Sequence, residues 1–212
     1  MMIYMSEISL IAIYGKSASG KDTYLNELIK EYPNLNKILL ATSRPPREKE
    51  IDGIDYLFIK DKEIKRDKKK YLWPIEFNGW TYAIVKESIK QDKINIGIFN
   101  IYWMTKLFED CGKTYDLIAI EVFEADKTRL LRSLNRENSP NCAEICRRFL
   151  ADEKDFSNVD FCLAKKLFNE QYPRYNLFYW RGMNKENYCF FLGWIKQEEE
   201  KYEQLEFINR EE

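Results

Sequence analysis

The stretch GKSASGKDT, residues 15–23, carries the spacing G-x-x-x-x-G-K. Gly15 and Gly20 let a backbone curl so that successive N–H groups point inward at phosphate oxygens, and Lys21 is placed to reach the outer phosphates of a nucleotide. Lys16, Ser17, Ala18 and Ser19 supply the residues between. Asp22 stands where such loops usually have serine or threonine, and Thr23 follows it. A hydroxyl at that place ligates Mg2+; a carboxylate does so directly or through water, or caps the helix. The plainer alternative is a glycine-rich turn with a capping aspartate.

A second group of charged side chains lies in SRPPRE, where Arg44 and Arg47 flank Pro45 and Pro46. Proline fixes its own φ and pushes the preceding residue towards extended backbone. In a polyproline II turn the two arginines project from one side, about 9 Å apart along the axis. Two planar, permanently charged forks at that spacing converge on one phosphate; a solvated basic loop is the competing reading. Other chemistries are narrowed by composition. There is no histidine, which excludes a Ser-His-Asp or Cys-His mechanism. Cys142 and Cys146 lie four apart with no histidine to complete a zinc site. The five cysteines read as thiols, mostly buried, in a reducing, cytoplasmic compartment.

These groups need elements to hold them. ISLIAIYG at 8–15 reads as a buried strand ending at the glycine loop, and KDTYLNELIKEY after it has helical spacing. NKILLATS reads as a second strand, INIGIF at 94–99 and YDLIAIEVF at 115–123 as two more. YWMTKLFEDCG, ADKTRLLRSLNR and CAEICRRFLADEKDF read as helices, and ENYCFFLGWIKQEEEKYEQL as a closing amphipathic helix. KDKEIKRDKKK mixes acids with bases and reads as a solvated face rather than a nucleic-acid patch. Strands alternating with helices predict an α/β fold with a parallel sheet. The 212 residues predict one domain, and a net charge of −1 leaves any anion site local. No apolar run is long enough for a membrane span and no leader pattern opens the chain.

Placed on that frame, TSRPPREKEIDGIDYLFI resembles the acceptor-binding stretch of guanylate kinases, T-x-R-x-P-R followed by D-G-x-D-Y-x-F. YLWPIEFNGWTYAIVKESI is similar to that family's aromatic and acidic segment with its tyrosine-bearing turn, and RSLNRENSPNCAEICRRFL to its arginine lid. The resemblance extends to near Phe161. It implies a P-loop NTPase fold, a three-layer α/β/α parallel sheet, with a core at about 6–40, 93–131 and 151–212. An acceptor-binding insertion at about 41–92 and a helical lid at about 132–150 complete the single domain.

The resemblance also implies roles. Arg44, Arg47, Tyr56 and Tyr82 occupy the positions that hold the acceptor's phosphate. Arg136 and Arg148, with Arg147 as the fallback, occupy the lid positions that span the transferring phosphoryl group. The positions that read the base are replaced: Leu40 for a serine, Trp73 for a glutamate, Ile84 for a hydroxyl residue and Asn100 for an aspartate. The clamp for a phosphate is therefore retained while guanine readout is largely replaced; Trp73 and Trp80 read as core packing first and as stacking surfaces for a base second. The implied activity is ATP- and Mg2+-dependent phosphorylation of a nucleoside monophosphate, GMP or dGMP first, by a monomer or homodimer with no nucleic-acid or membrane partner. Two alternatives stay open: a kinase of this fold for another phosphorylated acceptor such as a ribose bisphosphate, and a non-catalytic interaction domain.

Overall fold

The structure, a computed structural model, describes residues 8–46, 50–77, 79–111, 114–136, 139–179 and 185–210, with backbone alone for 178–179 and 204–210. Elements follow the chain as β1 (Ile8–Tyr14), α1 (Lys21–Glu31), β2 (Asn36–Lys37), β3 (Leu40–Thr42), β4 (Leu57–Phe58) and α2 (Asp61–Arg66). Next come β5 (Tyr71–Phe77), β6 (Trp80–Val85), β7 (Asn95–Ile98), α3 (Ile101–Asp110) and β8 (Tyr115–Val122). The last are α4 (Asp126–Asn135), α5 (Cys142–Phe156), α6 (Val159–Gln171), β9 (Asn176–Tyr179) and α7 (Lys185–Arg210).

The main sheet has the order β2-β7-β1-β8-β9 and all its pairings are parallel. Strands buried on both faces read as unbroken apolar runs, and β1 shows why. Leu10, Ala12 and Tyr14 pack with Trp103, Met104 and Leu107 of α3 and Phe161 and Phe168 of α6. Ile11 and Ile13 face the other way, onto Tyr24, Leu25 and Leu28 of α1 and Phe191, Trp194 and Ile195 of α7. The result is a three-layer α/β/α fold around a parallel sheet. A smaller mixed sheet, β4-β3-β6-β5, carries the residues between. It packs one face on α2 through Ile64, Tyr71, Ala83 and Val85.

The single strand expected in NKILLATS is two strands in two sheets. Ile38 N still donates to Ile96 O of β7 at 2.8 Å, while Leu39 O already accepts from Val85 N of β6 at 3.0 Å. The chain changes partner at that point, which no periodicity reveals. The charged run at 60–70 is solvated except at Ile64, which is fully buried and seats α2. Only Cys111 among the five cysteines is buried, contrary to the expectation of mostly buried thiols; none of the five forms a disulfide. Helix α7 returns to the start of β1, where Tyr202 Oη donates to Ser9 Oγ at 2.8 Å and Ser9 Oγ donates to the buried Glu198 carboxylate. Among the described residues no helix is long and apolar enough to cross a membrane.

Candidate functional site

The glycine-rich loop leaves the carboxyl end of β1 and enters α1, where the helix N-terminus presents unpaired amides to an anion. Gly15 is required by a close approach: a Cβ there would meet Val122 O at 2.4 Å. We expect Gly15→Ala to lower stability by about 1–3 kcal/mol in urea unfolding, the cost of forcing backbone apart. Ser19 N donates to Lys16 O at 3.2 Å to close the turn, and Ala18 holds the left-handed conformation at φ 58°. Gly20 is the N-cap of α1 at φ 101°, with no side-chain cap bond, so Asp22 stands in the first turn and not at the cap. Asp22 and Thr23 are exposed. Lys21 folds back over the loop, its Nζ 3.4 Å from Lys16 O. Ser19 Oγ is buried and has no partner among the described residues. A buried orphan hydroxyl inside a loop of this shape fits a phosphate oxygen that completes it.

A frame of charged residues surrounds the loop, and sequence reasoning missed it. Of the ten residues of α4 only Arg129 is buried. Its Nε donates to Ser17 O at 3.0 Å and one Nη to Asp152 at 2.7 Å. Asp152 also accepts from Ser17 N at 2.8 Å. Arg132 donates to Ala18 O and Ser19 O at 3.3 and 3.2 Å and pairs with the buried Glu124 at 2.8 Å. Lys16 pairs with Glu153 at 2.5 Å. The signal was present in RLLRSLNR: Arg129, Arg132 and Arg136 at i, i+3, i+7 lie on one helix face.

The expected lid residues lie further along this helix pair, Arg148 one turn from Asp152 on α5. Arg136 is the exposed C-cap of α4. Arg147 and Arg148 lie on α5 and both bond Glu144, at 2.6 and 2.7 Å through their Nε atoms. The bonds from Arg147, opposed by partial burial and joined by those from Arg148, draw the Glu144 carboxyl down to about 2. A depressed carboxylate contributes above its ordinary value of about 4 and is lost only as pH falls towards the lower one. At neutral pH the ionised Glu144 pairs with both arginines on the helix surface, where another anion can exchange for it.

On the smaller sheet the structure brings three of the four acceptor-phosphate candidates together. Strand register places Tyr82 opposite Thr42, two residues before Arg44. The Arg44 guanidinium lies 5.3 Å from the Tyr56 ring centre, and the Tyr56 and Tyr82 rings meet edge to face at 6.4 Å. The Arg44 fork is occupied by Glu50, two nitrogens to two oxygens at 2.9 Å each. Arg47 lies outside the described residues.

The base-position candidates are scattered. Leu40 and Ile84 are cross-strand partners packed on the main core, Ile84 fully buried. Trp73 sits in the irregularity between Leu72 and Ile75 at φ 49°, its ring edge-on to Tyr115 at 6.2 Å. Tyr115 pairs with Ile8, at the start of β1, whereas the loop follows Tyr14 at its end. Seven residues of strand separate those levels, about 20 Å. Asn100 caps α3, its Oδ1 accepting from Trp103 N at 3.0 Å. Trp80 is part-exposed beside an open cleft on the α2 side with Lys60, Lys65 and Thr81.

The guanylate kinase family model matches residues 7–174, past the limit at Phe161 read from motifs. The guanylate kinase of Wigglesworthia glossinidia brevipalpis is 30% identical over 169 residues, 74% of this chain and 80% of that protein. That of Prochlorococcus marinus is 40% identical over 90 residues, 42% of this chain and 48% of that one. That of Thermosynechococcus vestitus is 45% identical over 84 residues, 39% of this chain and 44% of that one. The matched segments thus span about half the length of the second and third relatives. A crystal structure of guanylate kinase from Anaplasma phagocytophilum aligns with TM-score 0.49 and 17% identity, over 80% of this chain and 88% of that one.

Proposed function

The chain belongs to the guanylate kinase family, and on that premise we propose that it transfers the γ-phosphoryl group of ATP to a nucleoside monophosphate. An oxygen of the acceptor's phosphate attacks the γ-phosphorus, the bond to the bridging oxygen breaks, and ADP and a nucleoside diphosphate leave. No protein nucleophile is needed; catalysis is positioning plus neutralisation of spreading charge. The loop amides and Lys21 hold the donor, with Ser19 Oγ as a further donor to its phosphates. Arg44, Tyr56 and Tyr82, with Arg47, hold the acceptor's phosphate. Arg136 and Arg148, with Arg147, exchange Glu144 and solvent for the phosphates as the lid closes, which also excludes water. The exposed Asp22 carboxylate beside Lys21 is the residue that would hold Mg2+, which would supply positive charge to the donor's phosphates.

The observation that carries this reading is the convergence of Arg44, Tyr56 and Tyr82 beside one carboxylate. Glu50 stands there as the anion that a phosphate displaces. The first acceptor is GMP or dGMP. The family's polar base positions hold Leu40 and Ile84 on the core side of the small sheet and Trp73 at the far end of β1. A site without polar groups at those positions discriminates bases by only about 10–200-fold. The same apolar residues favour, as the second reading, an acceptor recognised by phosphate alone, such as a ribose phosphate. A coupled ADP-release assay over all ribo- and deoxyribonucleoside monophosphates and ribose phosphates separates them. Turnover with guanine nucleotides and weak base preference is expected. Turnover confined to ribose phosphates replaces the acceptor, and none with any acceptor removes the kinase reading.

A further inference from the structure

We infer that Arg129 and Asp152 are positioning residues for the phosphoryl donor: the pair fixes the Ser17 peptide of the phosphate loop and ties helix α5, with Arg148, to it. The inference rests on the kinase reading for its consequence and on geometry for its substance.

All the polar groups of Ser17 are taken by this pair. Asp152 Oδ2 accepts from Ser17 N at 2.8 Å and Oδ1 from Ser17 Oγ at 3.1 Å, while Arg129 Nε donates to Ser17 O at 3.0 Å. The two side chains close the ring with a 2.7 Å ion pair. Arg129 is 1% exposed, bonds Asp126 at 2.7 Å through its other nitrogen, and lies 4.6 Å from the Phe149 ring centre. A fully buried ion pair is a poor device for stability alone, since apolar residues of similar volume serve as well or better. It is a good device for holding one backbone unit in one orientation. The next residue needs that: Ala18 is left-handed without being glycine, a conformation that persists only where the surroundings over-determine it.

The second consequence follows from helix spacing. Arg148 and Asp152 are four residues apart on α5 and so lie on one face, one turn from each other. Anchoring Asp152 on Ser17, with Glu153 on Lys16 beside it, sets the distance from the loop to Arg148. The anchor thus serves as the fixed end of an arm that carries Arg148, whose side chain bonds Glu144 of the same helix.

The test compares the wild-type chain with Asp152→Asn, Asp152→Glu, Arg129→Met and Arg129→Lys. ATP affinity is measured by titration calorimetry, kcat and both KM values by ADP release, and unfolding by urea. All activity measurements are made where each variant is fully folded. Asp152→Glu keeps the charge but lengthens the arm by one methylene, which moves the anchor by about 1 Å; displacements of that order cost up to about 100-fold in rate. Expected is a loss of about tenfold or more in ATP affinity and in kcat for Asp152→Asn and Asp152→Glu, with acceptor KM nearly unchanged. Arg129→Lys should retain more activity than Arg129→Met. Lowered unfolding midpoints with wild-type ATP affinity and kcat in the folded variants would assign the pair to stability and overturn the inference. Wild-type protein that binds ATP but phosphorylates no acceptor ends the kinase reading, while the affinity comparison still decides the positioning. Wild-type protein that binds no ATP ends both.

Discussion

Lys21→Ala is expected to lower kcat by at least about 10²–10³-fold, the loss seen when one preorganised charge donor is taken from a transition state, and to leave the fold intact. The structure separates the two effects. Lys21 is half-buried at the start of α1, and its Nζ makes one long contact, 3.4 Å to Lys16 O. The folded chain therefore loses little when the side chain is cut back. On the proposed reading the donor loses the cation that meets the charge developing on the outer phosphates, which amides of the loop cannot replace. Loop shape depends instead on Gly15 against Val122 O and on the Arg129–Asp152 frame. The assay pairs ADP release at saturating acceptor with thermal denaturation. A kcat within about tenfold of wild type would remove Lys21 from the chemistry.

Much of this site was legible because its residues act locally. A glycine loop between a strand and a helix declares itself within nine residues, whereas Arg44 is held by partners beyond its prolines, Glu50 and the Tyr56 and Phe58 rings. The parallel sheet was legible for the same reason, since strands buried on both faces are unbroken apolar runs. What escaped was set by long-range contacts. The exchange of partners at residues 38–39 depends on β6 and β7, 45 and more residues away. Arg129 reads as one more surface cation on an amphipathic helix; its burial needs Ser17 and Asp152, which only the folded chain brings together. Trp73 aligned with a base-reading position, yet a bulge at Leu72 and Ile75 sends its ring to Tyr115. Motif spacing carries no information about such a bulge.

The acceptor side gives the second large effect. Arg44→Ala is expected to lower kcat/KM for the acceptor by about 10²–10³-fold, with ATP affinity unchanged. Two losses add. The bidentate fork disappears, and with it the strongest kind of neutral-pH phosphate contact. Glu50, now without the two 2.9 Å bonds that neutralise it, faces the incoming phosphate as a like charge. That second term yields a sharper test than the single variant. If Glu50 marks the place of the acceptor's phosphate, Glu50→Gln added to Arg44→Ala should recover part of the loss, because repulsion is removed while the fork stays absent. If Glu50 serves only to hold Arg44 against Tyr56 and Phe58, where its guanidinium lies 5.3 and 5.6 Å from the ring centres, the double variant should be no better than the single. Arg44→Lys completes the set: it keeps the charge and loses the planar fork, so it should fall between wild type and Arg44→Ala. Weakened ATP binding in any of these variants would place Arg44 on the donor instead.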